Sequence, residues 1–267
     1  MTHVTSNPPE GTPTWLDIGV PDLDRAKTFY GTLLGWQFQD AGPEAGHYNT
    51  CMLRGEPVAG MMQNPEDQPD VYWWNVYFAT DDCDGSVKRA TDAGGEVVVP
   101  AMDVMDLGRM AIVRDPQGGQ FGLWQGSSLP GSRIVNDPGS FTWNDLFVPG
   151  DASPAREFYR ALFGYQIEPM ADAEGLDYTT AARPDGRYIG GVLGGEGLVL
   201  GGGTDQVASW LTYFAVDDAD EAVRRVRAGG GTVDEEPVDT PYGRIATVRD
   251  PFGVPFRVMK PAPAPES

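Results

Sequence analysis

The chain has 267 residues, 40% of them hydrophobic, and a formal net charge of −20. This length is sufficient for two domains, and the apolar content excludes a wholly disordered chain. The acidity is shared, since residues 1–133 carry 18 acids and 8 bases, and residues 134–267 carry 21 and 11. Such a surface repels nucleic-acid phosphate and anionic lipid and attracts cations, although simple solubility also explains it.

Cysteine content and hydropathy narrow the class further. Cys51 and Cys83 are the only cysteines, and two thiols make no disulfide framework. No apolar stretch approaches the length of a membrane span, and the polar, proline-rich stretch 1–13 does not resemble a signal peptide. The sequence therefore predicts a cytoplasmic protein, a monomer or weak homodimer, with no nucleic-acid and no membrane partner.

The predicted elements follow a simple order. After a flexible tail at 1–13, alternation predicts a strand at 14–20, and Asp22 caps a helix that ends near Leu34. A second strand and a helix that Gly94 stops follow at 72–79 and 82–93. The remaining short strands are predicted near residues 36–40, 47–53, 57–63, 96–99, 108–114 and 119–125. The first half is therefore predicted to consist of two consecutive βαβββ units.

The second half repeats the first. Three segments of the first half recur in the same order in the second. They are Trp15-Leu16-Asp17 and Trp143-Asn144-Asp145, WNVYFATDD at 74–82 and WLTYFAVDD at 210–218, and RDPQG at 114–118 and RDPFG at 249–253. The matched order predicts an α+β protein of four βαβββ units. Its mixed β-sheets form two modules in tandem, at 14–126 and 141–261, joined by a linker at 127–140.

Two of the repeated phrases carry a family resemblance. The segments DLDRAKTFYGTLLGW at 22–36 and RDPQG at 114–118 resemble the hallmarks of the vicinal oxygen chelate superfamily of glyoxalases, bleomycin resistance proteins and extradiol dioxygenases. The resemblance covers about residues 14–260. It is in particular to two-module actinobacterial members, which open each module with a Trp-x-acid strand. It implies that each pair of units curls into a cup that holds the ligand.

The resemblance also implies where metal ligands, usually His, Glu or Gln, would lie. Those positions hold Trp15, Gly60, Asn75 and Gly122 in the first module and Trp143, Gly191, Leu211 and Arg257 in the second. None is a good ligand, and the two histidines, His3 and His47, cannot supply a site. We therefore expect no metal and no cofactor. A carboxylate-only site at Asp17 or Asp145 remains open, but it would need several more oxygen ligands.

Strand alternation predicts which side chains face into each cup. The inward residues are Trp15, Asp17, Asn75, Tyr77, Gly122 and Trp124 in the first module and Trp143, Asp145, Phe147, Leu211, Tyr213, Arg257 and Met259 in the second. Indole and phenol rings around one carboxylate suit a flat aromatic ligand, and a cationic one above all. Alternatively, the rings fill the cavity as core, and an Arg257–Asp145 ion pair fills the second cup.

Three functions remain open, and whether the protein is an enzyme is undecided. The favoured hypothesis is a metal-independent protein that sequesters or delivers a hydrophobic aromatic molecule, such as a natural product or antibiotic, in its biosynthesis or in resistance to it. The second is an enzyme of secondary-metabolite tailoring, in which Asp17 or Asp145 acts as a base. The third is a metal-dependent lyase or dioxygenase, which the ligand positions argue against.

Overall fold

The computed structural model describes residues 2–64, 72–170, 175–196, 198 and 207–263. The helices are α1 Leu23–Leu34, α2 Cys83–Asp92, α3 Ser153–Phe163 and α4 Ala219–Ala228, with a short 3-10 helix at Pro43–Ala45. The strands are β1 Thr2–His3, β2 Pro13–Val20, β3 Gln37–Asp40, β4 Asn49–Leu53, β5 Glu56–Gln63, β6 Asn75–Ala79, β7 Glu96–Val104, β8 Gly108–Arg114, β9 Gln120–Gly126, β10 Ile134–Val135, β11 Phe141–Pro149, β12 Gln166–Pro169, β13 Asp177–Ala182, β14 Tyr188–Gly195, β15 Ser209–Ala215, β16 Thr232–Thr240, β17 Gly243–Arg249 and β18 Pro255–Pro261.

The strands form two eight-stranded sheets with the same topology. The first has the order β3-β4-β5-β2-β6-β9-β8-β7, and the second has the order β12-β13-β14-β11-β15-β18-β17-β16. In the first sheet the central strands β2 and β6 are antiparallel, whereas β2 is parallel to β5 and β6 is parallel to β9. In the second sheet β11 and β15 are antiparallel, whereas β11 is parallel to β14 and β15 is parallel to β18. Both sheets are therefore mixed. The predicted α+β fold of two tandem modules is confirmed.

Local signals fix where the helices begin. Asp22, Asp82 and Asp218 each accept a hydrogen bond from the backbone amide three residues on, at 2.9–3.0 Å, which is the preferred N-terminal cap. Helix α3 differs, because the second module has one extra residue in the preceding turn. There Asp151 accepts from the amide of Ser153 instead, at 2.9 Å.

The helix-side faces of the two sheets share one core, and two buried hydrogen-bond chains cross between the modules. The indole of Trp74 donates to the Tyr30 hydroxyl at 3.1 Å, which donates to Asp250 of the other module at 3.0 Å. The second chain is its pseudo-symmetric counterpart, running from Trp210 through Tyr159 to Asp115 at 3.1 Å for each bond. Burial raises the pKa of both aspartates. The repeated Arg-Asp-Pro turns therefore join the modules.

The stretch before the first sheet and the segment between the sheets pair with each other. Strand β1 pairs antiparallel with β10. The amide of Gly11 bonds to the carbonyl of Ala79 at 2.8 Å, and the hydroxyl of Tyr165 donates to the Gly11 carbonyl. The N-terminal stretch thus contacts both modules. None of the described helices is long and apolar enough to cross a membrane.

Candidate functional site

The first cup is centred on Asp17 in the central strand β2. Asp17 lies in register with Gly60 of β5 and with Asn75 of β6, and only 8% of its surface is exposed. The Tyr77 hydroxyl donates to its carboxylate at 2.8 Å, and a side-chain hydrogen bond from Asn75 also lowers its pKa. Strand alternation turns this face away from the shared core, so the carboxylate lies inside the cup.

Two glycines of this sheet make room for phenol rings. A Cβ at Gly60 would lie 1.5 Å from the Tyr48 hydroxyl oxygen, and a Cβ at Gly122 would lie 2.0 Å from the ring of Tyr77. Tyr48 also accepts a hydrogen bond from the Trp15 indole at 3.0 Å. Two positions where the family resemblance implied metal ligands are therefore covered by tyrosine side chains.

The Asp17 carboxylate has no cationic partner within the described part of the chain. Burial is the main influence on the group, and it raises the pKa of Asp17 from 3.8 to about 7, although the hydrogen bonds from Tyr77 and Asn75 oppose the shift. Burial and the charge of Asp17 in turn raise the pKa values of Tyr48 and Tyr77. Near neutral pH this carboxyl can therefore give or take a proton, as acid–base chemistry requires.

The wall of the first cup is a small apolar cluster separate from the shared core. It consists of Trp15, Tyr77, Ile112 and Trp124, each less than a tenth exposed, with Met110 packed against it. The Trp124 indole donates to the carbonyl of Leu129 at 2.8 Å. These rings line the cup beside the Asp17 carboxylate.

The second cup is centred on Asp145, in register with Gly191 and Leu211. Its carboxylate accepts hydrogen bonds from the Trp143 indole at 2.8 Å, from the Tyr178 hydroxyl at 2.9 Å and from the Tyr213 hydroxyl. These donors hold the carboxylate on both of its oxygens.

Arg257 makes the second cup electrostatically different from the first. Its guanidinium lies 3.8 Å from the carboxylate of Asp145 and donates to the Tyr213 hydroxyl. It also lies over the rings of Phe147 and Tyr213, 5.5 Å and 5.2 Å from their centres. The equivalent position of the first module is Gly122. The second cup is thus a neutralised network, whereas no described residue places a cation beside the carboxylate of the first cup.

The structure brings most of the sequence-predicted residues together. In the first module Tyr77 and Asn75 bond to Asp17, and Trp15 and Trp124 pack in one cluster with Tyr77. In the second module Trp143 and Tyr213 bond to Asp145, and Arg257 lies near Asp145 and over the ring of Phe147. Met259, half-buried and two residues beyond Arg257 on β18, lies opposite Ala215. Sequence reasoning missed Tyr48 and Tyr178. The signal that could have found them was their strand glycines, since a glycine inside a strand marks the close approach of another group.

The donor set in the cups does not fit the metal centre that the fold family implies. In register at the first cup are one carboxylate, one amide and a glycine covered by a phenol. Across the described ranges, no three His, Cys, Asp or Glu side chains cluster closely enough to hold a metal ion. His47 lies at the surface, 3.0 Å from Asp40.

Two sheets of paired βαβββ units, each curled around a central polar residue, define a glyoxalase-type fold. The profile of the "Glyoxalase/Bleomycin resistance protein/Dioxygenase superfamily" matches residues 12–123 and 146–258, and the chain belongs to this superfamily.

Curated relatives match over nearly the whole chain. The chain is 38% identical to "Putative glyoxylase CFP32" of Mycobacterium tuberculosis, covering 95% of this chain and 96% of the relative. It is also 38% identical to "Anthracycline biosynthesis protein DnrV" of Streptomyces peucetius, covering 94% and 93%.

Solved structures share the fold at low identity. The Mn(II)-bound glyoxalase from Novosphingobium aromaticivorans has a TM-score of 0.64 at 16% identity, covering 94% of this chain and 82% of that one. The 2,3-dioxygenase LapB from Pseudomonas sp. KL28 has a TM-score of 0.62 at 13% identity, covering 97% and 96%.

Proposed function

We propose that the protein binds a flat aromatic small molecule in the first cup, without a metal, and that Asp17 orients it. The observation that carries the proposal is a buried carboxylate to which no described residue gives a cation, set among the indoles of Trp15 and Trp124 and the phenol of Tyr77. Aromatic rings supply stacking surface, and one buried polar group supplies orientation.

Because no described residue places a cation beside Asp17, we expect the ligand to carry the positive charge. In the second cup Arg257 neutralises Asp145, but nothing in the described part of the chain neutralises Asp17. A ligand with an amine or a ring cation would supply that partner and would lower the pKa of the carboxyl. The net charge of −20 would attract such a ligand from a distance. We therefore assign ligand binding to the first cup and a structural role to the second.

The relatives make natural-product chemistry the favoured context. DnrV is named for anthracycline biosynthesis, and an anthracycline is a polycyclic aromatic molecule of the kind these rings could stack on. We propose that this chain serves the biosynthesis of an aromatic natural product or antibiotic, or resistance to one. It would do so by holding or delivering the molecule at the first cup.

A second candidate function rests on the acidity of Asp17. A carboxyl with a pKa of about 7 is suited to take a proton from a bound substrate and return it elsewhere. In this role Asp17 is the base, the Tyr77 hydroxyl stabilises its ionised form, and the apolar wall excludes water. The protein would then be a tailoring enzyme that uses no cofactor.

Tryptophan fluorescence during titration with proflavine, a flat aromatic cation, tests the proposal. Trp15→Ala and Asp17→Asn are each expected to weaken binding by about tenfold or more, because the stacking surface or the charge partner is lost. The matched variants Trp143→Ala and Asp145→Asn in the second cup are expected to change binding by less than about threefold.

Two outcomes would contradict the proposal. One is binding that survives both first-cup substitutions, and the other is binding that is lost on changing Asp145 instead. If Asp17→Asn left binding of an aromatic substrate intact and abolished its turnover, the second candidate would replace the first.

A further inference from the structure

A cavity of about 510 Å³ lies beside the second cup, with which it shares Trp143, where the N-terminal stretch, the segment between the sheets and the second module meet. We call it the junction cavity and define it by Pro9, Val135, Trp143, Arg183, Arg187 and Tyr188 among its lining residues. Its size falls within the range of small-molecule sites.

The backbone around the junction cavity is held by long-range hydrogen bonds. The amide of Val4 bonds to the carbonyl of Arg133 at 2.9 Å, and the Arg133 side chain donates to the carbonyl of Val4 at 3.2 Å. The amide of Ser132 bonds to the carbonyl of Thr14 at 2.7 Å. These bonds join residues that are far apart in the chain, and they hold this wall of the cavity in place.

Arg183 fixes the opposite wall. It is only 6% exposed, and its guanidinium pairs with Asp185 and donates to the hydroxyl of Thr12. These bonds tie the turn between β13 and β14 to the N-terminal stretch. The positive charge of Arg183 is therefore paired with Asp185 within the protein.

Arg187 is different, because it is exposed and forms no ion pair with any described residue. The described residues that line the junction cavity include two arginines and no acid, in a chain whose net charge is −20. Tyr188 is 62% exposed beside it. A cation and a solvated phenol over an apolar wall are the complement of an aromatic anion.

We propose that the junction cavity binds an aromatic monoanion, with its carboxylate or sulfonate on Arg187 and its ring against Tyr188 and the proline-lined wall. A guanidinium binds such groups through two parallel hydrogen bonds. The ligand charge is opposite to that expected for the first cup. This site is therefore independent of the proposed function.

Titration with 8-anilinonaphthalene-1-sulfonate tests the site, because the repulsion by the acidic surface keeps non-specific binding of this anion low. The wild type is expected to bind one equivalent, and 1-naphthoate is expected to displace it. Arg187→Glu should weaken binding by about tenfold or more, and Arg187→Lys should weaken it by about three- to tenfold, since the point charge remains but the two parallel hydrogen bonds are lost. The neutral analogue N-phenyl-1-naphthylamine should be indifferent to both substitutions.

The first-cup variants serve as the control. Trp15→Ala and Asp17→Asn should leave the affinity for the sulfonate unchanged. The proposal is overturned if Arg187→Glu has no effect, or if Trp15→Ala removes binding, since the probe would then lie in the first cup. Circular dichroism checks that Arg187→Glu, at an exposed position, keeps the fold.

Discussion

Replacing Asp17 by Asn should stabilise the protein at neutral pH and above, although it removes the residue at the centre of the candidate site. The pKa of Asp17 is about 7 in the folded protein, against 3.8 for the free side chain. The folded state therefore holds the proton more tightly than the unfolded state. The stabilising contribution of protonated Asp17 is therefore fully present below about pH 4. It is lost progressively as the pH rises from there through about 7.

The size of the effect follows from the same two values. A pKa that rises from 3.8 to about 7 corresponds to about 4 kcal/mol of folding free energy, lost once the buried carboxyl is ionised. An asparagine keeps an acceptor oxygen for the Tyr77 hydroxyl and carries no charge. The gain in Asp17→Asn is therefore near zero at about pH 4 and approaches an upper limit of about 4 kcal/mol at about pH 8.

Urea unfolding of both proteins at these two pH values measures the difference. Other buried carboxyls such as Asp115 and Asp250 titrate in both proteins, so their contributions cancel in the comparison. The reasoning is refuted if Asp17→Asn is less stable than the wild type at about pH 8, or if its gain does not depend on pH.

Asp145→Asn is the matched control at the equivalent position of the second cup. It leaves the Arg257 guanidinium with the exposed Glu235, 3.6 Å away, as its remaining acidic partner among the described residues, and it weakens a group that holds three hydrogen bonds. It should destabilise the protein by about 1–3 kcal/mol, the cost of an unmatched buried polar group. A gain in stability on this substitution would show that the two cups are alike.

Three further outcomes are expected. Tyr30→Phe removes the hydroxyl that donates to the buried Asp250, and it should lower the free energy of unfolding in urea by about 1–3 kcal/mol. No change would show that this hydrogen bond does not help to hold the two modules together. Gly60→Ala places a Cβ 1.5 Å from the Tyr48 hydroxyl and should cost about 1–3 kcal/mol while altering tryptophan fluorescence, since Trp15 loses its acceptor. Dialysis against a chelator should leave the melting temperature within about 1 °C, because the cups offer no metal donor set among the described residues, and a large fall would contradict this.

The fold follows from the sequence because its signals are local and repeated. Alternation predicts the strands, aspartate caps predict the helix starts, and the duplicated phrases predict the second module. The same alternation brings Trp15, Asp17 and Tyr77 to one face, because in β-strands every second side chain lies on the same side. The difference between Gly122 and Arg257, at equivalent positions of the two modules, is likewise visible in the amino-acid sequence.

The remaining features depend on contacts that no periodicity records. Tyr48 precedes its strand, so alternation does not fix where its ring points. The two-residue pairing of β1 with β10, which helps to form the junction cavity, is too short to leave a pattern. The pKa of Asp17 also depends on how completely the surrounding side chains exclude water, and packing alone determines that.

Calorimetric titration with proflavine near pH 7, in buffers of different ionisation enthalpy, tests the central claim most directly. At that pH the carboxyl of Asp17 is about half protonated, so a cation bound beside it should release about half a proton per ligand. The wild type and Asp145→Asn should show this release, and Asp17→Asn should show none. Binding without proton release in the wild type, or the same release in Asp17→Asn, would contradict the assignment of the ligand site to the first cup.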